Sequence, residues 1–244
     1  MCYRIKVPHV QHATNDRTLR HPKIVDIVDQ PIGTGVRYRG SKLNMKSVGY
    51  GSPVEWHQDW AFYPRTNDDI LAVGVAIDDL KEENGGMLAV SGSYTGPIHS
   101  RHENGYFVGA VTDTAIDPSK VVRLEVPAGG ITLHHVRLLH GSAPNRSQSP
   151  RRLFLLELCA LDAWPLVDFN GLPEMDSCIL RGSPTVTPRL TEGPVRMPLP
   201  SYDGMRSIYE LQTKLEDRVL ARGGSHVPWA LLRGRRGAAS GALR

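Results

Sequence analysis

Val54-Glu-Trp-His-Gln-Asp-Trp60 is the stretch on which the reading of this chain turns. His57 and Asp59 are two residues apart, and side chains on an extended strand alternate with period two, so both project from one face. A lone H-x-D triplet is more often a hydrogen-bonded core pair than a metal site. Here, aromatic residues surround polar groups that a plain core strand would not bury. Far down the chain, His140 offers a second imidazole in Leu138-Leu-His-Gly-Ser-Ala-Pro-Asn-Arg146, an apolar strand ending at a turn. Two histidines and a carboxylate leave one coordination face of a metal open, the donor set of non-haem Fe(II) oxygenases. Arg151, eleven residues after His140, opens Arg-Arg-Leu-Phe-Leu-Leu. An arginine entering an apolar strand needs an anionic partner inside.

Around this stretch, from Val36 onward, the chain is a series of short extended runs cut by Gly, Pro and Asn-Gly signals. They lie at roughly 36–48, 52–62, 69–78, 86–91, 105–111, 121–126, 130–138 and 152–161. Their β-branched content and spacing predict a sandwich or jelly roll. Glu83-Asn-Gly-Gly86 and Pro127-Ala-Gly-Gly130 read as turns. Residues 1–35 read as loop with one short helix near Pro22 to Asp29, and the proline-rich stretch 163–200 as ordered loop rather than sheet. Ser207-Ile-Tyr-Glu210 has capping-box spacing, and Ile208, Leu211, Leu215 and Val219 follow at helical intervals. This predicts one helix packed on the outside of the sheet. The expected organisation is a single domain over 1–232, with a core at about 36–162 and a C-terminal loop and helix at 163–232. A flexible basic tail, 233–244, follows.

The chain has 244 residues, 40% hydrophobic and 22% charged, in the range of a soluble globular protein. No stretch approaches eighteen consecutive apolar residues, which argues against a membrane span, and the start lacks the apolar run of a secretory signal. Three cysteines include no C-x-x-C pair, pointing to a reducing, cytoplasmic setting. The net charge of +4 belongs to the end of the chain. Residues 218–244 hold six arginines and no acid, and without them 23 basic residues face 25 acidic ones, a balance of −2. A nucleic-acid partner is therefore not expected, and Arg233 to Arg236 read as a solvated end rather than an anion contact.

These segments resemble the phytanoyl-CoA dioxygenase family, which includes the ectoine hydroxylases. The resemblance covers about residues 40–160 and again Ser207–Gln212. Its strongest pieces are Trp56-His-Gln-Asp-Trp60, Glu83-Asn-Gly-Gly86 before a strand, and His140-Gly-Ser with Arg151 eleven residues on. The resemblance implies a mainly β, double-stranded β-helix fold (jelly roll, cupin-like) with flanking helices. It also implies an enzyme that uses Fe(II), O2 and 2-oxoglutarate to hydroxylate or otherwise oxidise a small molecule, releasing succinate and CO2. Carried over by position, His57, Asp59 and His140 ligate iron, Arg151 pairs with the distal carboxylate of 2-oxoglutarate, and Ser142 hydrogen-bonds near it. Asn44 matches a cosubstrate-binding position in the ectoine hydroxylases; the alternative is a strand-edge residue bonding its own backbone. Arg152 alternates with Arg151 and is expected in solvent. Halogenases of the superfamily carry a small residue in place of Asp59, so the carboxylate implies hydroxylation or a related oxidation.

Other residues have weaker readings. One of His134 and His135 should point inward, as a satisfied core histidine in preference to a pocket wall. Gln58, Trp60, Phe62 and Tyr63 are candidates for the substrate mouth, with packing as the alternative. His99, Arg101 and His102 read as a solvated loop, with a lid as the alternative. Two other function classes remain: a non-catalytic jelly-roll metal or ligand binder, and a degenerate family member. Arg151 argues against the first, because a simple metal-binding cupin needs no buried cosubstrate anchor. The intact triad argues against the second.

Overall fold

Two long strands carry the architecture of the computed structural model, which describes residues 4–49, 51–167, 169–195, 197 and 207–222. β2 (Val36–Lys46) and β11 (Arg151–Ala160) pair antiparallel from Arg151↔Lys46 to Ala160↔Val36. On β11, Phe154, Leu156 and Leu158 face one way, into a core shared with Ile24, Val25 and Val28. Arg151, Leu153, Leu155 and Glu157 alternate to the other face, as period two requires. β4 (Ile70–Ala76) and β9 (Ile131–His135) extend this sheet on one side, and β1 (Arg4–Lys6) and β12 (Ile179–Arg181) pair with β2 on the other. A second sheet runs β3 (Val54–His57), β10 (His140–Ser142), β5 (Met87–Val90) and β8 (Val121–Leu124), with a small β6 (His102–Glu103)–β7 (Tyr106–Phe107) hairpin nearby. Lys46 of the large sheet reaches Ser142 of the small one, so their inner faces meet. This is the expected mainly β jelly roll with flanking helices.

The amino-terminal region differs from expectation. Instead of loop with one helix, it forms β1, α1 (Pro8–Gln11), α2 (Ala13–Leu19) and α3 (Pro22–Ile32). α3 is the helix expected near Pro22; it buries Ile24, Val25, Val28 and Ile32 and ends at Gly33 in the left-handed region, φ 72°. α2 lacks such a stripe. The His12 ring caps it by accepting from the Thr14 amide, and Leu19 is buried at its end. The stretch 163–200 reads as ordered loop rather than sheet, yet it contains the short strand β12 and, before it, α4 (Leu172–Ser177).

The capping box at Ser207 and Glu210 forms, but the single helix does not. α5 (Ile208–Leu211) passes into a 3-10 turn, Leu215 turns extended, and α6 (Val219–Arg222) starts afresh. Tertiary bonds outweigh periodicity here. The Gln212 amide bonds the backbone of Glu55 and Gly109, and the Glu55 carboxylate accepts from the amides of Leu220 and Ala221. As expected, the segment packs outside the sheet: Leu220 joins Trp56, Leu88, Val90 and Leu139 behind β3 and β10. Gly141 is required there, since a Cβ would stand 2.8 Å from Leu220 and 2.9 Å from the Val54 carbonyl. The basic tail from residue 233 lies outside the described residues. No helix among the described residues is long and apolar enough to cross a membrane.

Candidate active site

His57 and His140 are directly opposite one another on β3 and β10, with ring centroids 4.1 Å apart. Asp59 is not on the strand with His57 as expected. The strand ends at His57, Gln58 remains extended, and Asp59 opens a 3-10 turn (Asp59–Phe62). Because Gln58 is extended, the two side chains still share a side. Asp59 Oδ1 is 3.5 Å from His57 Nε2, and its Oδ2 is 4.0 Å from His140 Nε2. One donor atom from each of the three lies within 4.8 Å of the others, and all three residues are buried.

Both imidazoles are aimed by the backbone. His57 Nδ1 bonds the Glu55 carbonyl at 2.8 Å, and His140 Nδ1 bonds the Leu138 carbonyl at 2.9 Å. A carbonyl only accepts, so each Nδ1 carries the proton and each Nε2 presents a lone pair, the form a metal needs. Burial, and then the neighbouring His57, hold His140 well below the usual histidine range. Burial alone would raise Asp59, but His134, then His140 and His57, all turned towards it, hold the carboxylate well below its usual range. The site is thus a preset pair of imidazoles aimed through Nε2 at an ionised carboxylate, a donor set that fits a divalent iron.

Beside the triad are two buried cations. Arg151 is 4% exposed and Lys46 is 1% exposed, and they are cross-strand partners. Arg151 Nε donates to the Gly85 carbonyl at 3.2 Å. Lys46 Nζ donates to Ser142 Oγ at 2.7 Å and to the Ala143 carbonyl. Among the described residues, neither has a carboxylate within ion-pair distance. Burial pushes both below their usual values, with Arg151 a further cause at Lys46. Gly85, in the Glu83–Gly86 turn, forms the wall: its φ is +76°, and a Cβ would meet the Ala143 carbonyl at 2.6 Å and the Lys46 side chain at 2.9 Å. Arg152 faces solvent as expected and pairs bidentately with Asp78. Asn44 lies between Lys42 and Lys46 on the same face, and its Oδ1 is buried without a hydrogen-bond partner, so it is not bonding its own backbone.

Several secondary expectations change. His134 points inward and His135 outward, but His134 is not a satisfied core histidine. Its Nε2 lies 3.8 Å from Asp59 Oδ2, and its Nδ1 is buried without a partner. Gln58 is fully buried, with its amide bonded to Pro97, Arg137, His99 and Arg101, so it braces the loop and shapes no mouth. Trp60 packs in the large core. Burial, and then the charge of the nearby Asp59, push the Tyr63 hydroxyl well above its usual range, and Phe62 stands edge-on to His57. The 99–102 segment is not a solvated loop: Arg101 is 2% exposed, held by Gln58, and His102 packs on Phe107. Lys46, buried beside Arg151, is a candidate that the sequence alone does not single out.

Residues 4–153 match the family model described as phytanoyl-CoA dioxygenase (PhyH). The chain is 41% identical over 222 residues to a probable alpha-ketoglutarate-dependent hypophosphite dioxygenase of Stutzerimonas stutzeri, covering 88% of this chain and 77% of that protein. It is 26% identical to the L-proline trans-4-hydroxylase of Streptomyces griseoviridis, over 57% of this chain and 60% of that one. Among solved structures, the apo non-heme monooxygenase ThoJ aligns at TM-score 0.59 and 24% identity, covering 72% of this chain and 66% of that one. The epimerase SnoN, in complex with Fe3+, alpha-ketoglutarate and a nogalamycin compound, aligns at TM-score 0.57 and 21% identity, covering 75% of each chain. These two establish likeness of fold.

Proposed function

The chain belongs to the phytanoyl-CoA dioxygenase family and is a 2-oxoglutarate-dependent non-haem iron dioxygenase acting on a small molecule, and from that premise we propose its site and substrate. His57, Asp59 and His140 hold Fe(II). Arg151 anchors the distal carboxylate of 2-oxoglutarate, with Lys46 and Ser142 completing the cradle and Asn44 presenting its amide to the same space. The substrate is a small oxoanion, with hypophosphite as the first candidate. Residues 1–232 form one oxygenase domain, a reading supported by α3 and α6, which both bury side chains against the sheets.

The observation that carries this reading is the buried Arg151–Lys46 pair beside the triad, with no carboxylate among the described residues within ion-pair distance, Glu55 acting on Lys46 only from farther away. Two such charges out of water are unfavourable unless a ligand supplies the counter-charge. The planar fork of Arg151 suits a carboxylate, and the Lys46 ammonium adds a second donor. When bound, iron and 2-oxoglutarate supply the oxidising power, O2 being consumed as the keto acid becomes succinate and CO2. The chain's own residues supply position and exclusion. His57 and His140 keep their Nε2 lone pairs fixed through backbone bonds, Asp59 stays ionised, and Phe62 covers the His57 ring. For hypophosphite, one P–H bond becomes P–OH, so hypophosphite, O2 and 2-oxoglutarate yield phosphite, succinate, CO2 and a proton. The 41% identical relative supports that choice.

Phosphorus NMR of the Fe(II)-loaded enzyme with 2-oxoglutarate and hypophosphite tests it. Phosphite is expected in equal amount to succinate. Succinate without phosphite would overturn the substrate, and absence of any 2-oxoglutarate turnover with this or other small anions would overturn the site roles.

A further inference from the structure

The edge of the large sheet has a gap. β1 pairs with β2 at Lys42 to Asn44 and β12 pairs with it at Val36 and Arg37; the Ser41 carbonyl still accepts from the Val7 amide and the Tyr38 amide donates to the Cys178 carbonyl, leaving residues 39–40 between the two short edge strands. A cavity of about 300 Å3 occupies this place. Six cationic side chains line it (Arg4, Lys6, Arg37, Arg39, Lys42 and Arg65) against two acids, Glu157 and Glu174. Glu157 is already engaged by Arg39 and Lys42.

Arg37 and Arg65 are the unusual members. They are 2% and 8% exposed, and each donates from Nη1 to one backbone carbonyl, that of Leu161 for Arg37 and that of Ala163 for Arg65. Arg37 Nε and Nη2 and Arg65 Nε are buried without a partner. No carboxylate among the described residues lies within ion-pair distance of either, although Asp176 acts on Arg37 from farther away. Two guanidinium groups buried near one another, with donor edges unfilled, form half of an anion site. The cavity also borders the reaction centre: Tyr63 and Lys42 line it, and both act on the Asp59 carboxylate.

We propose that this cavity is a binding site for a small tetrahedral oxoanion, held by the free donor edges of Arg37 and Arg65, from which the substrate is delivered to the metal. The identity of the anion rests on the function proposed above; the existence of the site does not. Its position apart from Arg151 and Lys46 keeps the anionic substrate and the anionic cosubstrate from competing for one set of cations. On β2 the basic residues Arg37, Arg39, Lys42 and Lys46 form a row from the cavity to the cosubstrate pair.

The test is anion binding to the metal-free protein, where no anion can bind through iron. Hypophosphite and inorganic phosphate are titrated by calorimetry, each against the wild type, Arg37→Met, Arg65→Met and Arg152→Leu, with 2-oxoglutarate present throughout. Saturable binding is expected in the wild type, with hypophosphite and phosphate competing. Both methionine variants should weaken it tenfold or more, and Arg152→Leu, at an exposed arginine paired with Asp78, should leave it unchanged. Tighter binding of hypophosphite marks a substrate site, and tighter binding of phosphate marks a general oxoanion site; either supports the cavity. Should a methionine variant fail to fold, Arg37→Lys and Arg65→Lys keep the charge while losing the fork, and weakened binding is still expected. Wild-type affinity in the folded variants, or no saturable binding in the wild type, overturns the proposal. In turnover, Arg65→Met should raise KM for hypophosphite with little change in kcat. Anion binding without hypophosphite oxidation would remove the substrate assignment and leave the site; oxidation with an unchanged KM would overturn delivery of the substrate from it.

Discussion

The pairing of β2 with β11 brings two groups of cations to one sheet face, and they differ in what meets them. Near the Gly40↔Glu157 register, Arg39 and Lys42 close on a buried carboxylate at 2.6 and 2.8 Å. Near the Lys46↔Arg151 register, two more deeply buried cations meet only carbonyls and a hydroxyl. The first group is complete and braces the fold. The second is complete only with an anion that the described chain does not provide. Same strands, same residue types: the missing acid separates the group that braces the fold from the group we propose to bind the cosubstrate. Buried charge by itself would not have made that distinction.

Removing the metal ligands gives the largest effect. His57→Ala, Asp59→Ala and His140→Ala should each abolish iron retention and turnover, read by metal analysis and succinate formation. A variant that kept a full iron equivalent would contradict the triad.

Glu157→Gln probes the completed group. Burial alone would raise the Glu157 carboxyl, yet Lys42 and Arg39 bring it down to about 2 from its ordinary 4.5. A folded-state value below the unfolded one means stability that is full above about 4.5 and lost as pH falls towards about 2. After allowing for solvent screening at the partly exposed Arg39 and Lys42, the contribution is on the order of 2 kcal/mol. Denaturant unfolding should show Glu157→Gln weaker by about that amount at pH 7, with the gap to wild type closing in acid. A gap that widened in acid would contradict the pairing.

Lys46→Met probes the incomplete group and should behave oppositely. With no acid to orphan, the change should leave unfolding stability equal or higher, because an uncompensated buried charge is replaced by apolar volume. The 2-oxoglutarate requirement should rise by roughly tenfold, about 1.4 kcal/mol. A large stability loss with unchanged cosubstrate affinity would make Lys46 a structural residue. The smallest effect is expected at Arg152→Leu. Its pair with Asp78 is exposed, worth under about 1 kcal/mol, and the cosubstrate titration should be unmoved.

The parts of this arrangement legible in the sequence are those fixed by local geometry. Arg151 and Arg152 separate to opposite faces because β11 is regular there, so parity counting succeeds. The His57–Asp59 pair was legible although the strand ends early, since Gln58 alone had to stay extended. What escaped depended on partners distant in sequence. Lys46 reads as an ordinary basic strand residue until Arg151 is laid beside it. His134 needs the two sheets face to face before it meets Asp59. The helices Pro8–Gln11 and Ala13–Leu19 carry no apolar period of their own, so nothing local announces them. The expected continuous helix after Ser207 breaks because Glu55 and Gln212, 157 residues apart, bind each other's segments.

The central claim, that the unpaired Arg151–Lys46 group is the 2-oxoglutarate anchor, is tested most directly by an anaerobic titration. Fe(II)-loaded protein under argon is mixed with 2-oxoglutarate, and the metal-to-ligand charge-transfer absorbance of the chelated keto acid is followed. Wild type should saturate. Arg151→Leu should retain iron and need on the order of a hundredfold more 2-oxoglutarate, since losing one partner of a buried charged pair costs about 3–5 kcal/mol. Arg151→Lys should recover only part of this, lacking the bidentate fork. Wild-type saturation in Arg151→Leu would contradict the account.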